Sequence, residues 1–328
     1  MAIRRITILA PLGEGNNLSS IAGAYKILLR AGQYWETSGK GPAHKVEVAG
    51  SSTQVDYYGG LFCVKPHINI SEVHATDLVI VPSLNHDYHS AVANNGAMID
   101  WIARKYSEGA EMASICTGAF LLAAAGVLEG RVCSTHWSAA DAFRRLHPRV
   151  ALQTDQLITD QLGVYTNGGA YSFLHLIIYL VEKYYDRTTA IYCAKVFQID
   201  LKRNSQAEFI IFSGQKTHDD GVIREAQEMI ETRLNEKISI EDLSARFAVG
   251  RRNFDRRFIK ATGNTPVEYA QRVKVEAAKK ALENTRKTIS EVMYDVGYAD
   301  VKAFREVFRK VTGMSPLAYK NKYTKNVI

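Results

Sequence analysis

Cys116 lies in the run Ala113-Ser114-Ile115-Cys116-Thr117-Gly118-Ala119, where an apolar strand gives way to a helix. Small residues flank it and a glycine follows two positions on. These are the residue types of a nucleophile on a sharp strand-to-helix turn, with cysteine in place of serine. A helix starting behind the thiol is expected to lower its pKa through the amino-terminal dipole. His136, in Ser134-Thr135-His136-Trp137, has the chemistry of a base partner. A buried cysteine is more often a small apolar filler, and Cys63, Cys133 and Cys193 read that way. The turn around Cys116 sets it apart.

Other chemistry is poorly supported. The four cysteines form no Cys-x-x-Cys pair, which argues against a zinc knuckle or a disulfide framework. His86-Asp87-Tyr88-His89 offers two imidazoles with no third ligand, so no metal is expected. Gly13-Glu14-Gly15 lacks the Gly-Lys-Ser/Thr ending of a phosphate loop. No cofactor is expected.

A second chemistry sits in the last hundred residues. Residues 251–260 hold five basic side chains and one acid, a density of like charge that phosphate would neutralise. The stretch is half of a duplication. Phe254/Phe304, Phe258/Phe308, Gly263/Gly313, Pro266/Pro316 and Tyr269/Tyr319 are matched pairs, each separated by 50 positions. Each copy reads as helix, tight turn, helix. Ile240, Leu243 and Phe247 keep one helical face, with Ser239 as cap; Gly263 ends the helix over 251–262. Ile289, Val292, Met293 and Val296 repeat the face before Gly297, and Asp300 caps the next helix. Phe254 and Phe258 must be buried, which turns Arg252, Asn253, Arg256 and Lys260 outward. Likewise Phe304, Phe308 and Val311 face in, while Lys302, Arg305, Glu306 and Arg309 face out. A solvated charged face is the commoner fate of such residues. The charge density and the suitability of arginine for guanine edges favour nucleic acid.

The elements that must carry the cysteine precede this. Strands are expected over 3–9, 45–49, 77–82, 112–115 and 162–166, and helices over 18–30 (closed by Gly32), 98–106, 118–125 and 170–185. Strands alternating with helices imply a parallel α/β sheet with helices on both faces. Residues 204–221 break the periodicity, with His218-Asp219-Asp220-Gly221 the clearest linker signal. Beyond it, 222–234 reads as a helix through Ile223, Ala226 and Ile230.

At 328 residues there is room for two cores. The net charge of +7 is uneven: residues 219–328 carry 22 basic against 16 acidic side chains, and residues 1–218 carry 19 against 18. The surplus lies with the duplicated helices, as DNA binding requires. The apolar start is too short for a signal peptide and no segment is long enough to span a membrane. A reducing cytoplasm is the expected location.

Gly-x-x-Pro-x-x-Tyr closing each copy, with Val296-Gly297-Tyr298-Ala299-Asp300 in the second turn, resembles the AraC/XylS transcription regulators over about residues 223–323. The resemblance implies two recognition helices entering successive major-groove segments, joined by a long helix near 266–282. It places Arg252, Asp255 and Arg256 toward bases in the first segment, and Lys302 and Arg305 in the second. The run 114–123 with Thr135-His136-Trp137 resembles the class I glutamine amidotransferase-like (PfpI-type) superfamily, and within it the GlxA-type branch fused to AraC-type domains. Related enzymes carry an acid in the first helix, where this chain has Ser19 or Ser20. Their glycine pair after the Val-Pro strand is replaced here by Ser83-Leu84-Asn85. These departures point away from an enzyme, leaving Cys116 and His136 vestigial, and toward a ligand pocket lined by Asn85, Cys116, His136, Trp137 and Gly169. The combined expectation is a flavodoxin-like α/β sensor and dimerisation domain over 1–203. A linker over 204–221 and an all-α domain with two helix-turn-helix units over 222–328 complete it. The partners implied are double-stranded DNA, a small-molecule effector and a second copy of the chain. The competing reading is a cysteine-dependent amidase or hydrolase carrying a DNA-binding domain.

Overall fold

The structure, a computed structural model, describes residues 3–201, 203, 205–236 and 239–324. It divides into two compact units, Met1–Gln206 and Ala207–Ile328. Asn204, where the linker was expected to begin, lies outside the described residues.

In the first unit the order is β1 (Arg5–Ala10), α1 (Leu18–Thr37), β2 (Lys45–Gly50), β3 (Val55–Tyr57), β4 (Phe62–Val64), β5 (Ile68–Asn69), β6 (Leu78–Val81), α2 (Tyr88–Asn94), α3 (Gly96–Ser107) and β7 (Glu111–Ile115). Then come α4 (Ala119–Ala124), β8 (Val132–Cys133), α5 (Ala140–Leu146), β9 (Ala151–Leu152), β10 (Ile158–Gln161), β11 (Val164–Asn167), α6 (Phe173–Tyr184) and α7 (Arg187–Val196). The main sheet runs β10-β11-β7-β6-β1-β2-β5 and is parallel except for the β10–β11 hairpin. Its long parallel strands follow the doubly wound, flavodoxin-like order, with the switch between β1 and β6.

Strand parity explains the two layers. Ile6, Ile8, Ile80, Ile115 and Tyr165 enter one core with α1, α6 and α7. Leu9, Val79, Val81, Met112 and Val164 enter the other with α3, α4 and α5. Central strands covered on both faces have to be apolar throughout, which is why β6 reads as an unbroken run. Pairing of Val81 with Ser114 and of Ile115 with Asn167 sets the carboxyl ends of β6, β7 and β11 side by side.

Three boundaries differ from expectation. Helix α1 runs on to Thr37 because Gly32 is a packing residue: an added Cβ would sit 2.8 Å from that of Ala43. Leu162 and Gly163, with φ of 51° and 80°, form the hairpin turn rather than the start of a strand. The last long helix begins at Phe173, after a turn at Gly168 and Gly169.

The second unit is helical: α8 (Gly221–Thr232), α9 (Ile240–Arg246), α10 (Arg251–Thr262), α11 (Pro266–Asn284), α12 (Ile289–Asp295), α13 (Val301–Thr312) and α14 (Pro316–Tyr323). Each repeat has its own core. Ile223, Ile230, Leu243, Phe254, Phe258 and Tyr269 form one; Val275, Leu282, Val292, Phe304, Phe308 and Tyr319 form the other. Helix α11 contributes to both. Gly263 and Gly313 take the left-handed C-cap conformation (φ 69° and 77°), and Pro266 and Pro316 open the next helix. The buried tyrosines of the two repeats each meet an acid: Tyr269 donates to Glu231 at 2.6 Å, and Tyr319 donates to Glu283. The irregular stretch before α8 belongs to this unit, with Phe212 packed 5.2 Å from the Tyr269 ring.

Candidate nucleic-acid interface and sensor crevice

On α10, Phe254 and Phe258 are fully buried and Arg252, Asn253, Arg256 and Lys260 are exposed. Helix α13 repeats this, with Phe304 and Phe308 inside and Lys302, Arg305 and Arg309 outside. The four arginines of residues 251–257 are not equivalent. Arg251 is held by Asp255 (Nε to Oδ2 3.0 Å) and by Glu241. Arg257 makes a bidentate pair with Asp220 at 2.8 and 2.6 Å, and Asp220 also caps α8. That guanidinium, more than any other group, holds the Asp220 carboxyl below its ordinary pKa. Arg256 donates to the Asn253 side-chain oxygen at 3.0 Å, and among the described residues no ion pair occupies Arg252, Arg256, Lys302 or Arg305. The structure thus separates two structural arginines from two that present open cationic surface. Asp255 is engaged with Arg251.

The other site lies at the carboxyl edge of the sheet, where doubly wound folds bind ligands. Cys116 follows β7 with φ of 55°, a left-handed conformation that costs about 1–2 kcal/mol for a side chain other than glycine. Gly118 permits the turn, since a Cβ there would lie 2.6 Å from the carbonyl oxygens of both Val81 and Pro82. From β6, the Ser83 hydroxyl lies 3.0 Å from that of Thr117, and Thr117 bonds the backbone of Leu84 in both directions at 2.9 Å. Ser20 is fully buried; its hydroxyl accepts from the Ser83 amide (3.1 Å) and donates to the Asn17 carbonyl (2.6 Å). At this place, which the resemblance gives to an acid, a serine therefore ties the first helix to the Ser83 loop. Ser19, beside it, lies 3.5 Å from the Tyr171 hydroxyl.

The remaining expected lining residues approach from three sides. Asn85 donates its amide to Asn16 (2.9 Å) and accepts from the Asp87 amide (3.1 Å), on the β1–β6 side. Thr135 donates to the Cys116 carbonyl at 2.9 Å, which sets His136 and Trp137 beside the turn; their rings are 5.3 Å apart. Gly169, with φ of 86°, lies on the β11 side against Ser172 and Gln206.

The electrostatics run against the expected activation of the thiol. Cys116 is 3% exposed, and that burial pushes its pKa up despite the Ser83 hydroxyl, the Thr117 amide and hydroxyl and the His136 amide around it. A single-turn 3₁₀ start supplies too little dipole to offset desolvation. Burial, with neighbouring His86, lowers the pKa of His136 and keeps its ring neutral. Its Nδ1 accepts from the Ser138 amide at 3.2 Å and lies 2.7 Å from the Ser138 hydroxyl. A nitrogen that accepts from an amide leaves the ring proton on Nε2. What faces the thiol from this residue is its backbone. Among the described residues no hydrogen bond joins the Cys116 thiol to the His136 ring, the contact a nucleophile and its base would share.

Comparison with known proteins accounts for both halves. Residues 26–183 match the DJ-1/PfpI family and residues 243–322 match a helix-turn-helix domain. The chain joins a DJ-1/PfpI domain to an AraC-type helix-turn-helix domain. The HTH-type transcriptional regulator GbdR of Pseudomonas aeruginosa is 25% identical over 254 residues, 77% of this chain and 68% of its own length. GlxA of Rhizobium meliloti, another HTH-type transcriptional regulator, is 22% identical over 215 residues, 63% of this chain and 64% of its own. A THiJ/PfpI family protein from Pseudomonas syringae has the same fold at a TM-score of 0.51 and 19% identity, covering 71% of this chain and 88% of that one. This chain is a DNA-binding transcription regulator.

Sequence reasoning passed over several residues of the regulator's crevice. Ser83 and Ser20 stood out in the sequence only as departures from the superfamily pattern and Thr117 only as a neighbour of the cysteine, yet Ser83 and Thr117 lie against the thiol and Ser20 holds the Ser83 loop. His86 carried a faint metal signal; its Nδ1 lies 3.1 Å from the Tyr88 hydroxyl, and Tyr88 stacks on Phe120 at 4.2 Å. The unusual density of small hydroxyl residues in Ser83, Ser114 and Thr117, next to Cys116, was the available signal.

Proposed function

We propose that this regulator binds a small molecule in the crevice around Cys116 and passes that event to the affinity of Arg252, Arg256, Lys302 and Arg305 for operator DNA. It would act as a homodimer in the cytoplasm. Asn85, Cys116, His136, Trp137 and Gly169 would line the ligand site, with Asp255 orienting Arg251 rather than reading a base. The observation that carries this is the state of the thiol: buried, raised in pKa and set on a left-handed turn at the carboxyl edge of the sheet, beside the Ser83 and Thr117 hydroxyls. A strained turn kept without nucleophilic chemistry is the property of a recognition site. Such a ligand acts only through different affinity for two arrangements of the regulator.

A thermal-shift screen of metabolites on the full chain, repeated on Cys116→Ser, tests the reading. A hit whose shift disappears in the variant, while DNA binding persists, supports it. A hit unaffected by the variant places the site elsewhere. The competing hydrolase reading draws on the left-handed φ of Cys116; amide turnover by the wild type that Cys116→Ser abolishes would establish it.

A further inference from the structure

Gln206 is the last residue of the first unit, and its side chain is completely buried. Its Nε2 donates to the Thr135 carbonyl at 2.9 Å, and its backbone amide donates to the Asp155 carbonyl at 3.0 Å. The side chain occupies space that only glycine leaves open. A Cβ on Gly168 would stand 2.6 Å from the Gln206 Cδ and 2.7 Å from the Ser134 Oγ. The seat is satisfied at one end only: among the described residues Gln206 Oε1, which faces Gly169, is buried without a hydrogen-bond partner. The next residue belongs to a different body. Ala207 begins a 3₁₀ turn, Ala207–Phe209, that packs on α13, and Glu208 pairs with Lys322 at 2.6 Å.

We infer that Gln206 is a latch coupling the Cys116 turn to the segment that enters the DNA-binding domain. The path is short and covalent or hydrogen-bonded throughout. Cys116 C=O accepts from Thr135 Oγ1, and Thr135 C=O accepts from Gln206 Nε2. The chain then passes directly to the turn that rests on the second recognition helix. Movement of the 134–137 loop changes how firmly Gln206 is held. An unpaired buried carbonyl oxygen makes the seated state the less secure one, so release needs little. The reading rests on the sensing crevice only for the identity of the trigger.

Amide hydrogen exchange on the full chain tests the coupling without a ligand. Thr135→Val removes the bond to Cys116 without touching Gln206. It is expected to speed exchange of the 206–210 amides by roughly 2- to 10-fold, the worth of one lost hydrogen bond. Gln206→Leu is expected to do the same, and the double variant to add nothing further. Gly168→Ala, which evicts the side chain sterically, is the second route to the same state should Gln206→Leu fold poorly. Unchanged exchange at 206–210 in Thr135→Val, or full additivity with Gln206→Leu, overturns the latch. Either result leaves the sensing proposal standing, because that is tested by ligand binding alone.

Discussion

Replacing the arginines of α10 one at a time separates architecture from recognition. Arg257 and Asp220 are 32% and 23% exposed and bonded at two points, and Asp220 simultaneously caps α8. Arg257→Ala removes a partly shielded bidentate pair together with the packing of the arginine stem. About 1–2 kcal/mol of stability in the C-terminal unit is the expected loss, above the usual surface ion pair and below a buried one. Arg252 and Arg256 are exposed and make no ion pair among the described residues, so their alanine variants are expected to stay within about 0.5 kcal/mol of wild type. Their effect on DNA is the reverse. Loss of a base contact is expected to weaken binding by roughly 5- to 150-fold with relaxed sequence preference, whereas loss of a phosphate contact lowers the salt slope by about one. Binding is measured by fluorescence anisotropy between 50 and 200 mM salt, on a duplex selected from random sequence by the full chain. Stability is read from urea-dependent exchange of the α8 and α10 amides. The assignment fails if Arg257→Ala weakens DNA binding at unchanged stability, or if Arg252→Ala and Arg256→Ala loosen the helix while DNA binding survives.

Four further outcomes follow from the same contacts. Gly118→Ala drives a Cβ into two backbone carbonyls and is expected to cost about 1–3 kcal/mol or more, read as a lower urea midpoint for the N-terminal unit. Iodoacetamide at neutral pH is expected to modify exposed Cys63 first and Cys116, Cys133 and Cys193 slowly, since burial raises all three thiols; peptide mass mapping that finds Cys116 first contradicts the electrostatics given above. Phe304→Ala and Phe308→Ala empty fully buried sites and are expected to cost about 3–5 kcal/mol each, with DNA binding lost alongside the α13 amide protection. Asp220 is lowered chiefly by Arg257, and Glu268 chiefly by the Thr265 backbone amide. A carboxyl lowered in the folded state stabilises it above the unfolded value, near 4, and that contribution is lost as pH falls through the folded value. An acid titration of the C-terminal unit is therefore expected to show stability falling below about pH 4.

What could be read from the sequence was whatever is written locally. The Phe254/Phe258 and Phe304/Phe308 pairs fix the helix faces by their own spacing, and the glycine and proline pairs fix the ends. The β6 and β7 runs are apolar because both faces are covered, and Cys116 is conspicuous because Gly118 follows it. Features set by distant partners were not readable. Arg251 and Arg257 look like Arg252 and Arg256 until Glu241 and Asp220 are brought beside them. The Cys116 thiol was expected to be lowered by a helix behind it. In the fold only a 3₁₀ turn starts there, and the covering β6 loop removes water instead. Gly32 looked like a stop because glycine commonly ends helices; its role against Ala43 needs a contact across a turn. The short strands β3, β4, β5, β8 and β9 went unread, since two or three residues carry no periodicity, and β10 and helices α2, α5 and α7 went unread as well.

The buried tyrosines of the helix-turn-helix repeats and the polar atoms around the Cys116 turn are partnered differently, and that difference bears on how the regulator works. In the helix-turn-helix unit the buried tyrosines end on carboxylates: Tyr269 on Glu231, with Gln227 donating to it at 3.0 Å, and Tyr319 on Glu283. Satisfied networks of this kind rigidify, and a rigid pair of recognition helices suits reading a duplex at fixed spacing. Around the Cys116 turn, among the described residues, Ser114 Oγ, Asn167 Oδ1 and Gln206 Oε1 are buried without a hydrogen-bond partner. These flank the carboxyl ends of β7 and β11, where the backbone at Cys116 is also held in a left-handed turn. An open acceptor and a strained turn each raise the free energy of the empty state by about 1–3 kcal/mol. Under the proposed sensing role, a ligand that completed those bonds would gain that much over its ordinary contacts. It would gain it only in the arrangement that presents them, which is the differential affinity a switch requires.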